Sequence, residues 1–170
     1  LAEMKKLDEA VSALEDLLKI NPDHFMANYY RSKILVQLKR FDEAEQGLRR
    51  TLELRPQFEA ALIELAALYE RLRKTTQAIE LYRNYIDLFP ARLQARIKIG
   101  ELYLHEQRYD EAEREFQEVL KLDGNNRDVR LTLALIYLER EKRDKAIELM
   151  SALTRAYPTE YRIIYLLGTT

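Results

Sequence analysis

The sequence predicts an all-α protein, a solenoid of antiparallel helix pairs that follow one another along the chain. Helix-breaking residues recur every 34 residues, small residues recur at the same interval, and apolar residues within each interval have helical spacing. Repeats of this length are typical of solenoids, in which each unit buries its apolar face against its neighbours. No segment alternates apolar and polar residues over a useful length, so we expect no β-strand.

Proline marks the end of each repeat. Pro22, Pro56 and Pro90 are 34 residues apart, Pro158 follows 68 residues later, and Gly124 stands in the gap of the series. Proline inside a helix costs roughly 3 kcal/mol and keeps the residue before it out of the helical region. We therefore expect the second helix of each repeat to stop just before this position.

Two columns of small residues keep the same phase and predict where the paired helices touch. A larger side chain there would overpack the contact, at a cost of about 1–3 kcal/mol. The first column is Ala10, Ala44, Ala78, Ala112 and Ala146, and the second is Ser32, Ala66, Gly100, Ala134 and Gly168. Large side chains fill the space around them, at Leu14, Leu48, Tyr82, Phe116 and Met150 and at Leu1, Leu35, Tyr69, Tyr103 and Tyr137.

Each repeat divides into two helices. The spacing of apolar residues predicts a first helix from Phe25 to about Leu38. Asp42 then predicts the N-cap of a second helix, with Glu45 as its capping-box partner, and this helix runs to about Leu54. The matching caps are Asp8, Thr76 and Asp144 without a box, and Asp110 with Glu113.

Charged residues form two further columns. A basic one lies just past each first helix, where the macrodipole is negative, and an acidic one lies at the start of the second helices, where it is positive. The basic residues are Lys6, Arg40, Lys74, Arg108 and Lys142, and the acidic ones are Asp8, Asp42, Asp110 and Asp144. We interpret both columns as helix-end electrostatics, and the alternative is a charged binding edge.

Composition narrows the class of function. The 170 residues include no Cys and 4 Gly and carry a formal net charge of -1. The absence of Cys excludes disulfides, thiolate metal sites and a Cys nucleophile. The small number of glycines disfavours phosphate-binding loops, and the near-zero charge disfavours nucleic acid as a partner. No apolar run is long enough for membrane insertion. His24 and His105 form no metal motif, so we predict no enzyme activity, catalytic residue, metal or cofactor.

The repeat also resembles a known family. One unit carries Ile99-Gly100, Tyr103, Ala112 and Phe116, and the unit before it carries Leu65-Ala66, Tyr69, Ala78, Tyr82 and Pro90. These motifs resemble the tetratricopeptide repeat, and the resemblance covers essentially the whole chain. The chain lacks the family's first-helix tryptophan, which is replaced by Asn28, Leu62, Arg96, Arg130 and Ile164. It also lacks the small residue late in the second helix, which is replaced by Leu17, Thr51, Tyr85, Val119 and Leu153.

The resemblance implies a right-handed superhelix whose first helices line a concave groove and whose second helices lie outside. It also implies a module that binds peptides or protein surfaces. We predict one domain over residues 1–170. Its parts are the end of a truncated repeat (1–24), the complete repeats 25–58, 59–92, 93–126 and 127–160, and the start of another truncated repeat (161–170).

The first helices predict a site for a protein or peptide partner. One groove column is apolar throughout and is also expected to pack adjacent first helices: Tyr29, Ile63, Ile97, Leu131 and Tyr165. Its neighbours vary, which favours a role in recognition, and they include Gln94, Asp128 and Thr132. The predicted partner-binding residues are Met26, Tyr29, Tyr30, Lys33, Ile63, Glu64, Ile97, Lys98 and Glu101. A carboxylate clamp of the chaperone-binding kind is not expected, because Glu64 and Asp128 would repel a carboxylate.

We predict a protein-interaction scaffold that is part of a larger protein. One alternative is a structural or self-associating spacer, in which an open end at Tyr165, Leu166 and Leu167 stacks on a second copy. Another is a regulatory segment fused to an enzyme or to an envelope-assembly factor. A partner on the convex face or an edge is also an alternative. Cytoplasm and periplasm are both compatible with a chain without cysteine.

Overall fold

The chain is helical throughout the part that the structure describes, residues 2–158. In this computed structural model those residues form nine α-helices and no strand, which confirms the all-α prediction. The helices are α1 (Ala2–Ile20), α2 (Phe25–Gln37), α3 (Phe41–Leu54), α4 (Glu59–Arg71), α5 (Thr75–Leu88), α6 (Gln94–His105), α7 (Tyr109–Leu122), α8 (Arg127–Glu139) and α9 (Arg143–Ala156). The predicted open end at Tyr165, Leu166 and Leu167 lies outside the described residues.

The chain divides into two compact units between Ala91 and Arg92. In the first unit α2 packs on α3 and α4 packs on α5, while α1 contacts α2 and α3 contacts α4. In the second unit α6 packs on α7 and α8 packs on α9, and α7 contacts α8. The division falls next to the predicted boundary between repeats 59–92 and 93–126. A single domain over 1–170 and a right-handed superhelix stay predictions.

The ends of the second helices follow the proline series as predicted. The last residue of α3 is Leu54, two positions before Pro56, and the last residue of α5 is Leu88, two positions before Pro90. The glycine in the series acts in the same way, since α7 ends at Leu122. The two prolines and the glycine therefore each end a second helix and lie in the turn that leads to the next first helix.

The first helices end in a Schellman motif that the sequence did not reveal. After α2, Lys39 has a φ of 61°, and the N–H of Arg40 donates to the carbonyl oxygen of Leu35 at 2.9 Å. The same left-handed position recurs at Arg73, Gln107 and Glu141. Glycine usually occupies it, because an L-residue in this conformation costs about 1–2 kcal/mol. Without a glycine, the turn carries no sequence signal.

The predicted caps of the second helices are wrong. The N-cap residues are Arg40, Lys74, Arg108 and Lys142, and none of them makes a side-chain cap hydrogen bond. The Schellman turn is so short that each second helix begins before the predicted cap. Asp42, Thr76, Asp110 and Asp144 therefore lie within the first turn, and Asp8 lies inside the continuous α1. The two predicted capping boxes, Asp42 with Glu45 and Asp110 with Glu113, are wrong for the same reason.

The predicted contact between paired helices is confirmed by burial. Ala44, Ala78, Ala112 and Ala146 are fully buried, and so are the small residues opposite them from Ser32 to Ala134. Ala10 is only half-buried, and Gly168 lies outside the described residues. At Gly100 an added Cβ would lie 2.7 Å from the ring of Phe116, so the backbone of α6 lies directly against that ring. The columns of small residues therefore set how closely the helices approach.

Gly47 makes an equally close contact that the repeat columns did not predict. An added Cβ would lie 2.2 Å from the hydroxyl oxygen of Ser32, which itself donates to the carbonyl oxygen of Asn28 at 2.8 Å. The Asn28 side chain is also buried and donates to the carbonyl oxygen of Pro22 at 3.1 Å. A local polar network thus occupies the place of the family's tryptophan in this repeat.

A polar cluster joins each of two second helices to the repeat that follows. Glu45 of α3 accepts hydrogen bonds from the Tyr69 hydroxyl of α4 at 3.0 Å and from the Lys74 ammonium before α5 at 2.7 Å. Arg49 also donates to the Tyr69 hydroxyl, at 2.8 Å. The second unit repeats this arrangement with Glu113, Tyr137 and Lys142. The basic column therefore contributes to packing between repeats, besides its position at the helix ends.

The tight α2–α3 contact predicts a steric coupling between Gly47 and Ser32. Gly47→Ala should lower the free energy of unfolding by about 1–3 kcal/mol, because the new Cβ displaces the Ser32 hydroxyl. Adding Ser32→Ala should restore most of that loss, since the other atoms near this Cβ lie at 3.4 Å or more. Urea denaturation of the two single variants and the double variant measures the coupling. Additive effects would contradict a direct contact between these two positions.

The Glu45 cluster predicts a loss of stability in acid. Burial raises the pKa of Glu45, but hydrogen bonds from Lys74 and Tyr69 outweigh it, so the folded pKa lies below the usual value. The stabilisation is therefore present above the unfolded pKa of about 4.3 and is lost as the pH falls through the folded value. Between pH 5 and pH 3, unfolding free energy should fall less steeply in Glu45→Gln than in the wild type. Glu80→Gln, which removes an exposed carboxylate of α5, should keep the wild-type slope.

Candidate functional site

The first helices of the first unit bring six of the predicted partner-binding residues onto two neighbouring elements. We call this the α2–α4 surface, and its residues are Met26, Tyr29, Tyr30, Lys33, Ile63 and Glu64. The Lys33 ammonium of α2 lies 3.3 Å from a carboxylate oxygen of Glu64 on α4. Hydrogen bonding to Glu64 raises the pKa of Lys33 above its usual value. The surface thus has a fixed pair of opposite charges.

Tyr29 belongs to the core of the α2–α4 surface. Its side chain is 7% exposed, and its ring makes an edge-to-face contact with Phe58 at a centroid distance of 5.0 Å. Phe25 contacts Phe58 as well, at 5.5 Å, and the Lys33 ammonium lies over the Tyr29 ring at 5.6 Å. Phe58 is not among the predicted residues, although an aromatic residue just before a first helix is a usable signal. These contacts join α2 to the start of α4, as expected for the apolar column.

Tyr30 and Ile63 are the large apolar side chains that this surface leaves open to solvent. Tyr30 is 50% exposed and Ile63 is 42% exposed, although each directly follows a buried residue of the same helix. Exposed apolar side chains among polar neighbours are typical of surfaces that contact other proteins. The Lys33–Glu64 pair supplies the polar neighbours here. The geometry suits an apolar contact flanked by charge.

The other three predicted residues, Ile97, Lys98 and Glu101, lie on α6 in the second unit. Ile97 and Glu101 line a cavity of about 260 Å³ between α6 and α8, which we call the α6–α8 pocket. Its remaining lining residues are Gln94, Phe116, Asn126, Asp128, Val129 and Thr132. The Lys98 ammonium lies 2.8 Å from a carboxylate oxygen of Glu101. Here too, neighbouring positions of a first helix carry opposite charges.

Two members of the basic column form ion pairs with a nearby glutamate. Arg40 pairs with Glu43 at 2.6 Å, and Arg108 pairs with Glu111 at 2.8 Å, each within one helical turn. Exposed pairs of this kind contribute little to stability, because water and salt screen them. The interpretation of the two charge columns as helix-end electrostatics stays a prediction.

The histidines take no part in a metal site within residues 2–158. His24 caps α2, where its Nδ1 accepts the N–H of Ala27 at 3.1 Å, and this agrees with its predicted place at a helix start. His105 is exposed at the end of α6. In the described part of the chain, no three His, Asp or Glu side chains are grouped to hold a metal ion. None of the helices described is both long and apolar enough to cross a bilayer.

Comparison with protein families gives matches along nearly the whole chain. One model described as tetratricopeptide repeat matches residues 1–72 and 104–167, and a second one of the same description matches residues 63–127. No curated protein sequence matches the chain.

Solved structures share the fold at low sequence identity. A MamA crystal structure aligns with a TM-score of 0.75 and 17% identity over 92% of this chain and 91% of MamA. YrrB, described as a TPR protein with an unusual peptide-binding site, aligns with a TM-score of 0.72 and 19% identity over 98% of this chain and 86% of YrrB. A tetratricopeptide repeat protein from Parabacteroides merdae aligns with a TM-score of 0.76 and 20% identity over 99% of this chain and 67% of that protein. These similarities support the all-α helical solenoid.

The two adjacent tyrosines of α2 should respond differently to truncation. Tyr29→Ala should lower the free energy of unfolding by about 3 kcal/mol, because it empties a buried aromatic contact. Tyr30→Ala should lower it by less than about 1 kcal/mol, because half of that side chain is already in water. Thermal and urea unfolding of both variants measure the difference. Equal losses would show that Tyr30 also has a packing role.

Proposed function

Because the chain belongs to the tetratricopeptide repeat family, we propose that it binds a peptide or protein partner on the surfaces of its first helices. Tetratricopeptide repeats are protein–protein interaction modules and are typically not enzymes. The observation that carries the proposal is the exposure of Tyr30 and Ile63 beside the Lys33–Glu64 ion pair. Tyr30 and Ile63 are thus available for contact, and the ring of the buried Tyr29 contacts that of Tyr30.

The chemistry of the α2–α4 surface favours an amphipathic peptide. Tyr30 offers a large, rigid side chain with a polar tip, a type enriched among residues that dominate binding energy. Ile63 adds apolar area, and the charges at Lys33 and Glu64 provide direction and specificity. An extended or helical peptide with apolar anchors and a few charged groups fits this combination. The peptide-binding site in the description of YrrB supports the same class of partner.

The second unit offers contacts of the same mixed character. Lys98 and Glu101 are partly exposed and paired, and Ile97 contributes apolar lining to the α6–α8 pocket. Exposed pairs are weakly held, so a partner can exchange its own charges for them at little cost. We infer that Lys98 and Glu101 contribute to recognition of charged groups on the partner.

Photo-crosslinking tests which face the partner contacts. Benzoylphenylalanine in place of Tyr30 should crosslink the partner in an extract of the source cells, because this position lies at the centre of the proposed contact. The same crosslinker in place of Gln46, an exposed residue of α3, should give no crosslink. Crosslinking from Gln46 alone would overturn the proposal and place the partner on the second helices.

Alanine variants provide the second arm of the test. Tyr30→Ala combined with Lys98→Ala should abolish capture of the crosslinked partner, while the midpoint of thermal unfolding stays nearly unchanged. Gln46→Ala combined with Lys121→Ala, at exposed positions of two second helices, is the matched control and should capture normally. Unaltered capture by the Tyr30/Lys98 double variant contradicts the proposed site.

A further inference from the structure

The α6–α8 pocket is lined in part by apolar side chains. They are Ile97 of α6, Phe116 of α7 and Val129 of α8. Phe116 and Val129 are almost completely buried, so their positions are fixed by the packing of the second unit. The cavity measures about 260 Å³, below the range of about 300–1,000 Å³ that is typical of small-molecule sites. It therefore has room for one long side chain of a partner.

The open part of the pocket carries negative charge. Asp128, the second residue of α8, is exposed, and its carboxylate makes no ion pair within residues 2–158. Glu101 also lines the pocket, but one of its oxygens is engaged by Lys98 at 2.8 Å. Asp128 is thus the carboxylate with the greater capacity to accept a new charged donor.

The other polar groups at this opening are arranged mainly as acceptors. The Thr132 hydroxyl donates to the carbonyl oxygen of Asp128 at 2.9 Å, which leaves the lone pairs of the Thr132 oxygen available. Gln94 adds a side-chain amide. The start of α8 would ordinarily attract an anion, but the Asn126 side chain already accepts the N–H of Val129 at 3.2 Å. The pocket is therefore complementary to a cation.

We propose that the α6–α8 pocket receives an arginine side chain of the partner. This proposal rests on the proposed function, since the arginine belongs to the peptide that the first helices bind. The aliphatic stem packs against Ile97 and Val129, and the guanidinium faces Asp128. Its planar fork can pair with both oxygens of one carboxylate, which a lysine ammonium cannot do with the same geometry.

A tripeptide titration tests the pocket without knowledge of the partner. The probe is acetyl-Gly-Arg-Gly-amide, added to the isotope-labelled 170-residue chain and followed by methyl NMR. We expect shifts of the Ile97, Val129 and Thr132 methyl signals. The same peptide with citrulline, which has the shape of arginine but no charge, should bind at least about tenfold more weakly, as should the peptide with glutamate.

Two variants localise the effect. Asp128→Asn removes one charge and keeps the shape, and it should weaken binding of the arginine tripeptide at least about tenfold. Asp144→Asn is the matched control, because Asp144 is also exposed and is the second residue of α9. It should leave the affinity unchanged.

The outcomes separate the two proposals. Equal shifts with arginine and citrulline, stronger shifts with glutamate, an unchanged affinity in Asp128→Asn, or no shift at the three methyl groups would each overturn the arginine pocket. None of these results would alter the crosslinking expected from Tyr30, so the proposed function would stand on its own test. A failure to crosslink at Tyr30 would remove the proposed function and, with it, the arginine of its partner.

Discussion

The close contact between the two helices of each repeat is the constraint on which the remaining structure depends. Alanine on the second helix meets a small residue on the first, and at Gly47 and Gly100 the contact leaves no space for even a Cβ. Since buried atoms pack at the density of a crystal, this approach fixes the rotation of each first helix about its axis. That rotation places Tyr29 inside and Tyr30 outside.

The turn between the helices serves packing as well as chain reversal. The carbonyl of Tyr69 closes the Schellman motif after α4, and its hydroxyl donates to Glu45 of the preceding repeat. Lys74 completes that turn through its N–H and reaches the same Glu45 through its ammonium. Tyr69 and Lys74 therefore stabilise both the helix end and the contact between repeats. A strained φ at Arg73 is offset by these contacts.

The surfaces of the first helices show how far repeat columns lead toward a site. Lys33 and Glu64 were both predicted to bind the partner, and α2 and α4 bring their charged groups to 3.3 Å. The columns gave no indication that Phe58 would cover Tyr29, because Phe58 lies before the helix that the columns describe. The columns also did not predict the α6–α8 pocket, since its lining includes Phe116 from a second helix. A column records one helix face, whereas a pocket needs side chains from several elements.

The sequence by itself determined the class of fold, the period, the ends of the second helices at the proline series and the family. These features depend on backbone chemistry and local spacing, which each residue carries with it wherever it is placed. Only the tertiary structure decided where the second helices begin, because the Schellman turns use Lys39 and its equivalents instead of glycine. It also decided the partners of Glu45 and the contact of Tyr29 with Phe58, since both contacts join residues 24 or more positions apart in the sequence. Long-range contacts depend on how helices are oriented, and that orientation follows from packing of the whole unit.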